Sequence, residues 1–202
     1  MTEQERMKLG YVWQDDEENM ALQAKCKALV KQFNDLPTDA MAEREALLHD
    51  IFGEVGEHVW MNSPLTVSVG KYVSIGDGTY ANMNLTLIDD WKITIGKHVL
   101  IGPNVTLCTT GHPIDPKHRQ DGMYSFPITI GDNVWLGGNV MVLPGVTIGE
   151  NSVIGAGSIV TKDIPANVVA FGAPCKVYRE INEHDAEFYF GNHRFDEQPE
   201  RE

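Results

Sequence analysis

Aliphatic residues recur along most of this chain at intervals of six. Val69, Ile75, Ala81 and Leu87 form one series, Ile95, Ile101 and Leu107 a second, and Ile130, Leu136, Val142, Ile148, Ile154 and Val160 a third. Many are followed by Gly, as in Ile75-Gly76, Ile95-Gly96, Leu136-Gly137 and Ile148-Gly149, with Asn or Asp soon after. An ordinary hairpin would alternate apolar residues at every second position, and an amphipathic helix would repeat them every three or four. A period of six predicts a solenoid whose unit is a short strand plus a turn, the aliphatic residue pointing inward and the Gly or Asn tolerating the backbone angles of the turn. Three units make one triangular coil of about eighteen residues.

Residues 1–56 have a different texture, charged and poor in Gly. Leu22, Cys26, Leu29 and Phe33 stand at steps of four, three and four, along one helix face. Pro37-Thr38-Asp39 breaks that helix and starts another, with Leu47, Leu48, Ile51 and Phe52 as its stripe and Gly53 as its stop. The expected plan is mainly β: an N-terminal helical segment over 1–56 packed on a solenoid over 57–180, and an acidic tail over 181–202. That tail contains Pro199 and is expected to be partly ordered at best.

The register breaks twice. From Leu87 to Ile95 the step is eight, which inserts two residues around Asp89-Asp90-Trp91 as a polar bulge. From Leu107 to Ile130 the step is 23, so residues from about 109 to 127 leave the coil as a loop that carries Thr110-Gly111-His112-Pro113. Long excursions from a rigid scaffold are where binding and catalytic residues concentrate.

Composition narrows the choice of function. The 202 residues carry 16 Lys plus Arg against 29 Asp plus Glu, a formal net charge of −13, with 42% hydrophobic residues. Such a chain is able to fill a core, and its field repels phosphate backbones and anionic lipid headgroups, so nucleic-acid and membrane-surface binding are not expected. An anionic ligand would need a local basic patch. The charged N-terminus and the absence of a long apolar run predict a cytoplasmic protein. Cys26, Cys108 and Cys175 are odd in number, widely spread and form no CxxC pair, which suits free thiols.

From Val67 to Ile164 the repeats resemble those of the hexapeptide-repeat acyltransferases, whose fold is a left-handed parallel β-helix. Asn104-Val105-Thr106-Leu107 with Thr110-Gly111-His112-Pro113, then Tyr124-Ser125-Phe126-Pro127, then Ile154 through Pro165, are similar to the sugar O-acetyltransferases. The galactoside branch is the nearer likeness, and the maltose branch shares most of these motifs. The resemblance implies acetyl-CoA as co-substrate, no metal, and a homotrimer with active sites between subunits.

It also implies residue roles. Transfer of an acetyl group from a thioester to a sugar hydroxyl, the 6-hydroxyl in this reading, needs a base for the hydroxyl proton, and neutral imidazole suits pH 7; His112 is that candidate. Asn82 is a second catalytic candidate, with an amide able to orient the hydroxyl or to bind the tetrahedral oxyanion; Asn84 is read as a turn residue. Asp90 matches a carboxylate that binds sugar hydroxyls, and Asp89 is read as facing solvent, although spacing alone does not decide which of the pair points inward. Asp15, Ser68, Tyr80 and Met123 match further acceptor positions, in a loop one residue shorter between His112 and Met123 than its galactoside counterpart. For coenzyme A, Gly137-Gly138 and Ala156-Gly157 offer a slot for pantetheine, with the Gly138 N–H as an oxyanion donor. Trp135 flanks the thioester or covers core. Thr161, Lys162, Lys176 and Arg179 form a basic cluster for the phosphates, with Lys176 where the family often has Arg.

Two other readings use the same repeat. His98, His112 and His118 could bind zinc in the manner of the β-helical carbonic anhydrases, or the β-helix could be a structural or regulatory module without catalysis.

Overall fold

Each six-residue unit forms one side of a coil. The computed structural model describes residues 1–198, and Pro199 lies outside the described residues. The first coil begins at Glu54–Val55, inside the segment assigned to helices, and turns through Trp60–Met61 and Leu65–Val67. Each of the next four coils stacks its three strands in parallel on those below, and the last coil adds only Val168–Gly172. On the first face Val55, Ile75, Ile95, Ile130 and Ile148 are paired in register. The second face aligns Met61, Ala81, Ile101, Leu136, Ile154 and Ala170, and the third aligns Val67, Leu87, Leu107, Val142 and Val160. Apart from the partly buried Val55, all of these are buried, so the period-six residues are the core.

One member of the first series is displaced. Val69 is buried, but it lies at a corner, and the residue in register with Leu87 is Val67. The step from Val67 to Ile75 is therefore eight, the same as from Leu87 to Ile95. Both extra pairs, like the long loop, fall at the corner between the third and first faces.

The Gly after the aliphatic residue also has a different cause from the one expected. An added Cβ on Gly76, Gly102, Gly131 or Gly137 would lie 2.6 Å from a backbone atom of the next coil. Close approach of the coils, not a special dihedral, excludes a side chain there. The left-handed position comes two residues later, at Asn84, Asn104, Asn139, Asn133, Asn151 and Asn167, each with φ between 57° and 62°. Their amides form ladders up two corners: Asn84 to Asn104 to Asn139 at 2.8 and 3.2 Å, and Asn133 to Asn151 to Asn167 at 3.0 and 2.9 Å.

Helices α1 (Glu3–Lys8), α2 (Glu17–Asp35) and α3 (Met41–Ile51) precede the solenoid. Cys26, Val30 and Phe33 of α2 and Leu48 and Ile51 of α3 join the solenoid core and close its open end. Arg44 of α3 is buried, stacks 4.2 Å over the Phe33 ring, and donates to the carbonyls of Phe33 and Met61, tying α2 to the first coil. At the other end Cys175–Glu180 runs antiparallel to Val168–Gly172. The tail is more regular than expected as far as Gln198: Asn182 caps helix α4 (Glu183–Glu187), and Phe188–Phe190 pairs with His193–Arg194. No described helix is long and apolar enough to cross a membrane.

The left-handed turn position makes a direct prediction. Asn151→Gly and Asn151→Ala both remove the ladder amide, so they differ in backbone strain. The Ala variant will be the less stable by about 1 kcal/mol, inverting the usual order for these two residues, as read by denaturant unfolding.

Candidate active site

The enlarged corner between the third and first faces stacks Ser68, Asp89-Asp90 and the loop from Thr109 on successive coils. Asp89 is 0% exposed and its carboxylate accepts the backbone N–H groups of Ser68, Val69 and Gly70 at 2.9, 3.1 and 2.5 Å. Asp89 therefore does not face solvent; it locks the two-residue insertion of one coil onto that of the next. Asp90 is half-buried. Burial pushes its carboxyl up, the nearby Thr110 hydroxyl pulls it down, and Asp15 and Lys27 act in opposite directions.

His112 sits in the loop, exposed, with Nδ1 3.2 Å from the Gly122 carbonyl. A ring nitrogen facing a carbonyl carries the hydrogen, which leaves the lone pair of the neutral ring on Nε2. The loop is held on both sides. Thr110–Gly111 pairs antiparallel with Tyr124–Ser125, and Met123 exchanges two backbone hydrogen bonds with Trp13, at 2.9 and 2.8 Å. Gly122 passes so close to the Trp13 carbonyl that a Cβ would collide with it. Asp15 lies two residues on from Trp13, exposed, and accepts from Gln23.

Tyr80, Asn82, Trp135, Gly138 and Ala156 gather elsewhere, in a groove of about 570 Å³ that runs up the second face and its corner with the third. Asn82 occupies the place that Gly102, Gly137 and Gly155 hold on the coils above, and that break in the column of glycines is its signal in the sequence. Its Oδ1 accepts from the Met83 N–H at 2.8 Å. Tyr80 accepts from Asn62, also at 2.8 Å. Trp135 does not cover core: it points outward, 53% exposed, in a column with Trp60, Tyr80, Leu100 and Val153. A Cβ on Gly138 would meet only Pro103 at 3.4 Å, so this position has room that the stacked glycines lack.

Within one chain these two sets do not meet. His112, Asp90, Ser68 and Met123 belong to one edge of the third face and Asn82 and Gly138 to the other, separated by roughly 15–20 Å of extended chain. The expected basic cluster draws on two neighbouring strands at the C-terminal end of the solenoid. Thr161 and Lys162 follow the last third-face strand, and Lys176 and Arg179 lie on the antiparallel strand Cys175–Glu180 that packs against it. Arg179 is not a free cation, because Asp185 of α4 grips it with two bonds of 2.6 and 2.7 Å. The zinc reading loses its ligand set: His118 pairs with Asp121, His112 faces Gly122, and the His98 ring lies beside Gly78. Among the described residues no three His, Cys, Asp or Glu side chains gather as metal ligands.

Residues 127–162 match the family model for the bacterial transferase hexapeptide (six repeats), and residues 6–56 match that for the maltose acetyltransferase hexapeptide capping motif. Galactoside O-acetyltransferase of Escherichia coli (strain K12) is 50% identical over 192 residues, covering 94% of this chain and 95% of that protein. This chain belongs to the hexapeptide-repeat acetyltransferases. A solved galactoside acetyltransferase in complex with coenzyme A superposes with a TM-score of 0.94 at 50% identity, over 96% of this chain and 98% of that one. The maltose O-acetyltransferase from Clostridium difficile 630 gives 0.88 at 43% identity, over 91% and 99%. A Vibrio cholerae O1 biovar eltor acetyltransferase complexed with acetyl coenzyme A gives 0.83 at 37%, over 91% and 100%.

For this acetyltransferase the Asp89 clamp has a measurable signature. Burial pushes its carboxyl from 3.8 up to about 6 against the pull of its backbone donors. Between those two values the folded chain holds a proton that the unfolded chain has lost, so the contribution of Asp89 to stability falls as pH rises toward 6. Denaturant midpoints of the wild type and Asp89→Asn, compared from about pH 4 to 6.5, will show the wild-type advantage shrinking with pH. A constant or growing advantage would contradict the assignment.

Proposed function

We propose that the protein is an acetyl-CoA-dependent sugar O-acetyltransferase acting by direct transfer in a ternary complex. The observation that carries this reading is His112 with Nδ1 committed to the Gly122 carbonyl, in the loop at the same corner of the solenoid as Asp90. Nε2 takes the proton of a sugar hydroxyl, the 6-hydroxyl of a galactoside, while the oxygen attacks the thioester carbonyl. The tetrahedral oxyanion is bound by the Gly138 N–H and the Asn82 amide. Its collapse breaks the C–S bond, and the coenzyme A thiolate recovers the proton from His112. Asp90, with Asp15, Ser68, Tyr80 and Met123, holds the acceptor; Trp135, Ala156, Thr161, Lys162 and Lys176 hold coenzyme A.

A complete site then needs two copies of the chain. The groove beside Trp135 of one copy faces the His112 corner of the next, and this head-to-tail contact between three-sided prisms closes as a homotrimer. The exposed column of Trp135 and Leu100 supplies apolar surface for it. A covalent acetyl-enzyme has little support: Cys26 and Cys175 are buried, with the Cys26 thiol pushed up to about 12 and that of Cys175 also raised, both chiefly by burial. Cys108 donates instead to the Thr110 carbonyl at 3.3 Å. A maltose or glucose acceptor is the second reading, favoured by the capping motif over residues 6–56.

Incubation with acetyl-CoA and a panel of galactosides, glucosides and maltose, followed by free thiol and acetyl-sugar mass, tests the proposal. His112→Ala will lose about 10²- to 10⁴-fold in turnover and keep its affinity for coenzyme A. Lys176→Ala will weaken coenzyme A binding more than Arg179→Ala, whose guanidinium is already held by Asp185. No transfer to any sugar by a folded protein that binds coenzyme A would remove the sugar acceptor class.

A further inference from the structure

We propose that the N-terminal arm positions the base: through Trp13 it fixes the Gly122 carbonyl, which keeps the hydrogen of the neutral His112 ring on Nδ1 and its lone pair on Nε2. The inference deepens the acetyl-transfer reading and rests on it for the role of His112. Trp13 is then a positioning residue, acting through the strand by which the loop returns to the coil.

The loop leaves the coil through Thr110–Gly111 and comes back through Tyr124–Ser125, which pairs with it antiparallel. The Phe126 N–H continues that pairing with a bond of 2.9 Å to the Thr109 carbonyl. Met123 turns the other way: its N–H and carbonyl both bond to Trp13, in an antiparallel bridge. The returning segment is therefore the middle strand of three, with the outgoing strand on one edge and the arm on the other. Gln14 Nε2 donates to the Asp121 carbonyl at 2.9 Å, and the Trp13 indole N–H donates to Ser125 Oγ at 3.0 Å. Gly122 is thus held from the arm on both sides in sequence, and its own carbonyl faces His112 Nδ1 at 3.2 Å. A carbonyl only accepts, so in that contact Nδ1 is the donor. The fit leaves no slack, because Gly122 has φ of +141° and an added Cβ would stand 2.2 Å from the Trp13 carbonyl oxygen.

The arm is built to be stiff. Glu3 of α1 accepts the Gln14 N–H at 2.7 Å, Arg6 Nε donates to the Val12 carbonyl at 2.5 Å, and the Tyr11 N–H bonds to the Arg6 carbonyl at 2.9 Å. Gly10 runs against the Phe126 ring, where an added Cβ would lie at 3.3 Å. Met7 and Trp13 are 2% and 1% exposed, yet they stand apart from the continuous solenoid core. Closure of the open end is the work of α2 and α3, so the burial of the arm serves the loop. His112 itself is exposed, and water donates and accepts at either ring nitrogen. A carbonyl held in place is what makes the two tautomers unequal.

Nitrogen NMR of the full-length protein with labelled histidine, at about pH 8 where an ordinary imidazole is neutral, provides the test. The signals that disappear in His112→Gln identify His112 among the seven histidines. Wild-type His112 will show one tautomer, with the hydrogen on Nδ1. Trp13→Ala releases the arm, and Gly122→Ala drives a methyl group into the Trp13 carbonyl. In both, the His112 signals will average between the two tautomers, and kcat with the best acceptor of the sugar panel will fall about 30- to 100-fold while the coenzyme A KM changes less than about twofold. Trp13→Phe keeps a ring and the backbone pair and loses only the bond to Ser125; it will retain the single tautomer and stay within about threefold of the wild-type kcat. A purely structural arm gives a different result, a lower denaturant midpoint in Trp13→Ala with the His112 tautomer unchanged, and that result overturns the proposal. So does a wild-type His112 that carries its hydrogen on Nε2. If Gly122→Ala does not fold, Trp13→Ala decides alone, since Trp13 lies outside the solenoid core. The nitrogen signals need no turnover: a protein that acetylates no sugar removes the functional reading, while the tautomer still decides the role of the arm.

Discussion

The parallel hydrogen-bond ladder between successive coils determines where every functional residue sits. Its spacing of about 4.8 Å brings equivalent positions of neighbouring coils into contact, so a property repeated in the sequence becomes a column in space. Inward aliphatic residues become a continuous core. Positions where a Cβ would strike the coil above become a line of glycines, and left-handed turns become ladders of Asn amides. The insertions obey the same rule. Three successive coils lengthen at one corner, and the ladder stacks those departures into a wall that carries Ser68, Asp89, Asp90 and His112.

That wall works because its polar groups are satisfied in a definite order. Asp89 spends its carboxylate on three backbone donors of the coil below, which frees Asp90 beside it for other partners. The loop could not hold His112 by itself; it leans on Trp13, whose backbone binds Met123 and whose indole reaches Ser125. The helical segment thus closes the open end of the solenoid and braces the loop that carries His112. In the proposed reading, Lys162 and Lys176 give an acidic chain positive charge for an anionic co-substrate at one end of the coil, and the ion pair of Arg179 with Asp185 reduces the charge available there.

The period of six made the architecture legible, because inward burial recurs with the period and little else does. It also exposed the loop of His112, since a register break in a regular repeat is hard to miss. Other features depended on contacts between residues far apart in the chain. Val69 fits the period numerically, but the ladder selects Val67. The Asp89-Asp90 pair is ambiguous in one dimension and becomes clear only when the donors at Ser68, Val69 and Gly70 are seen one coil below. The partner of Arg179 belongs to a short capped helix six residues on, in a tail whose charge suggested little order. Trp13 carried no periodic signal, and its importance lies in partners more than a hundred residues away.

The central claim is that one chain holds two half-sites and that neighbouring copies complete them. Co-expression of His112→Ala with Asn82→Ala measures this most directly, because each variant damages a different edge of the third face. In randomly mixed trimers about a quarter of the interfaces pair an intact His112 with an intact Asn82, so transferase activity should return to roughly that fraction of wild type while either variant alone stays inactive. Mixed assemblies as inactive as the separate variants would place the whole site in a single chain and contradict the account.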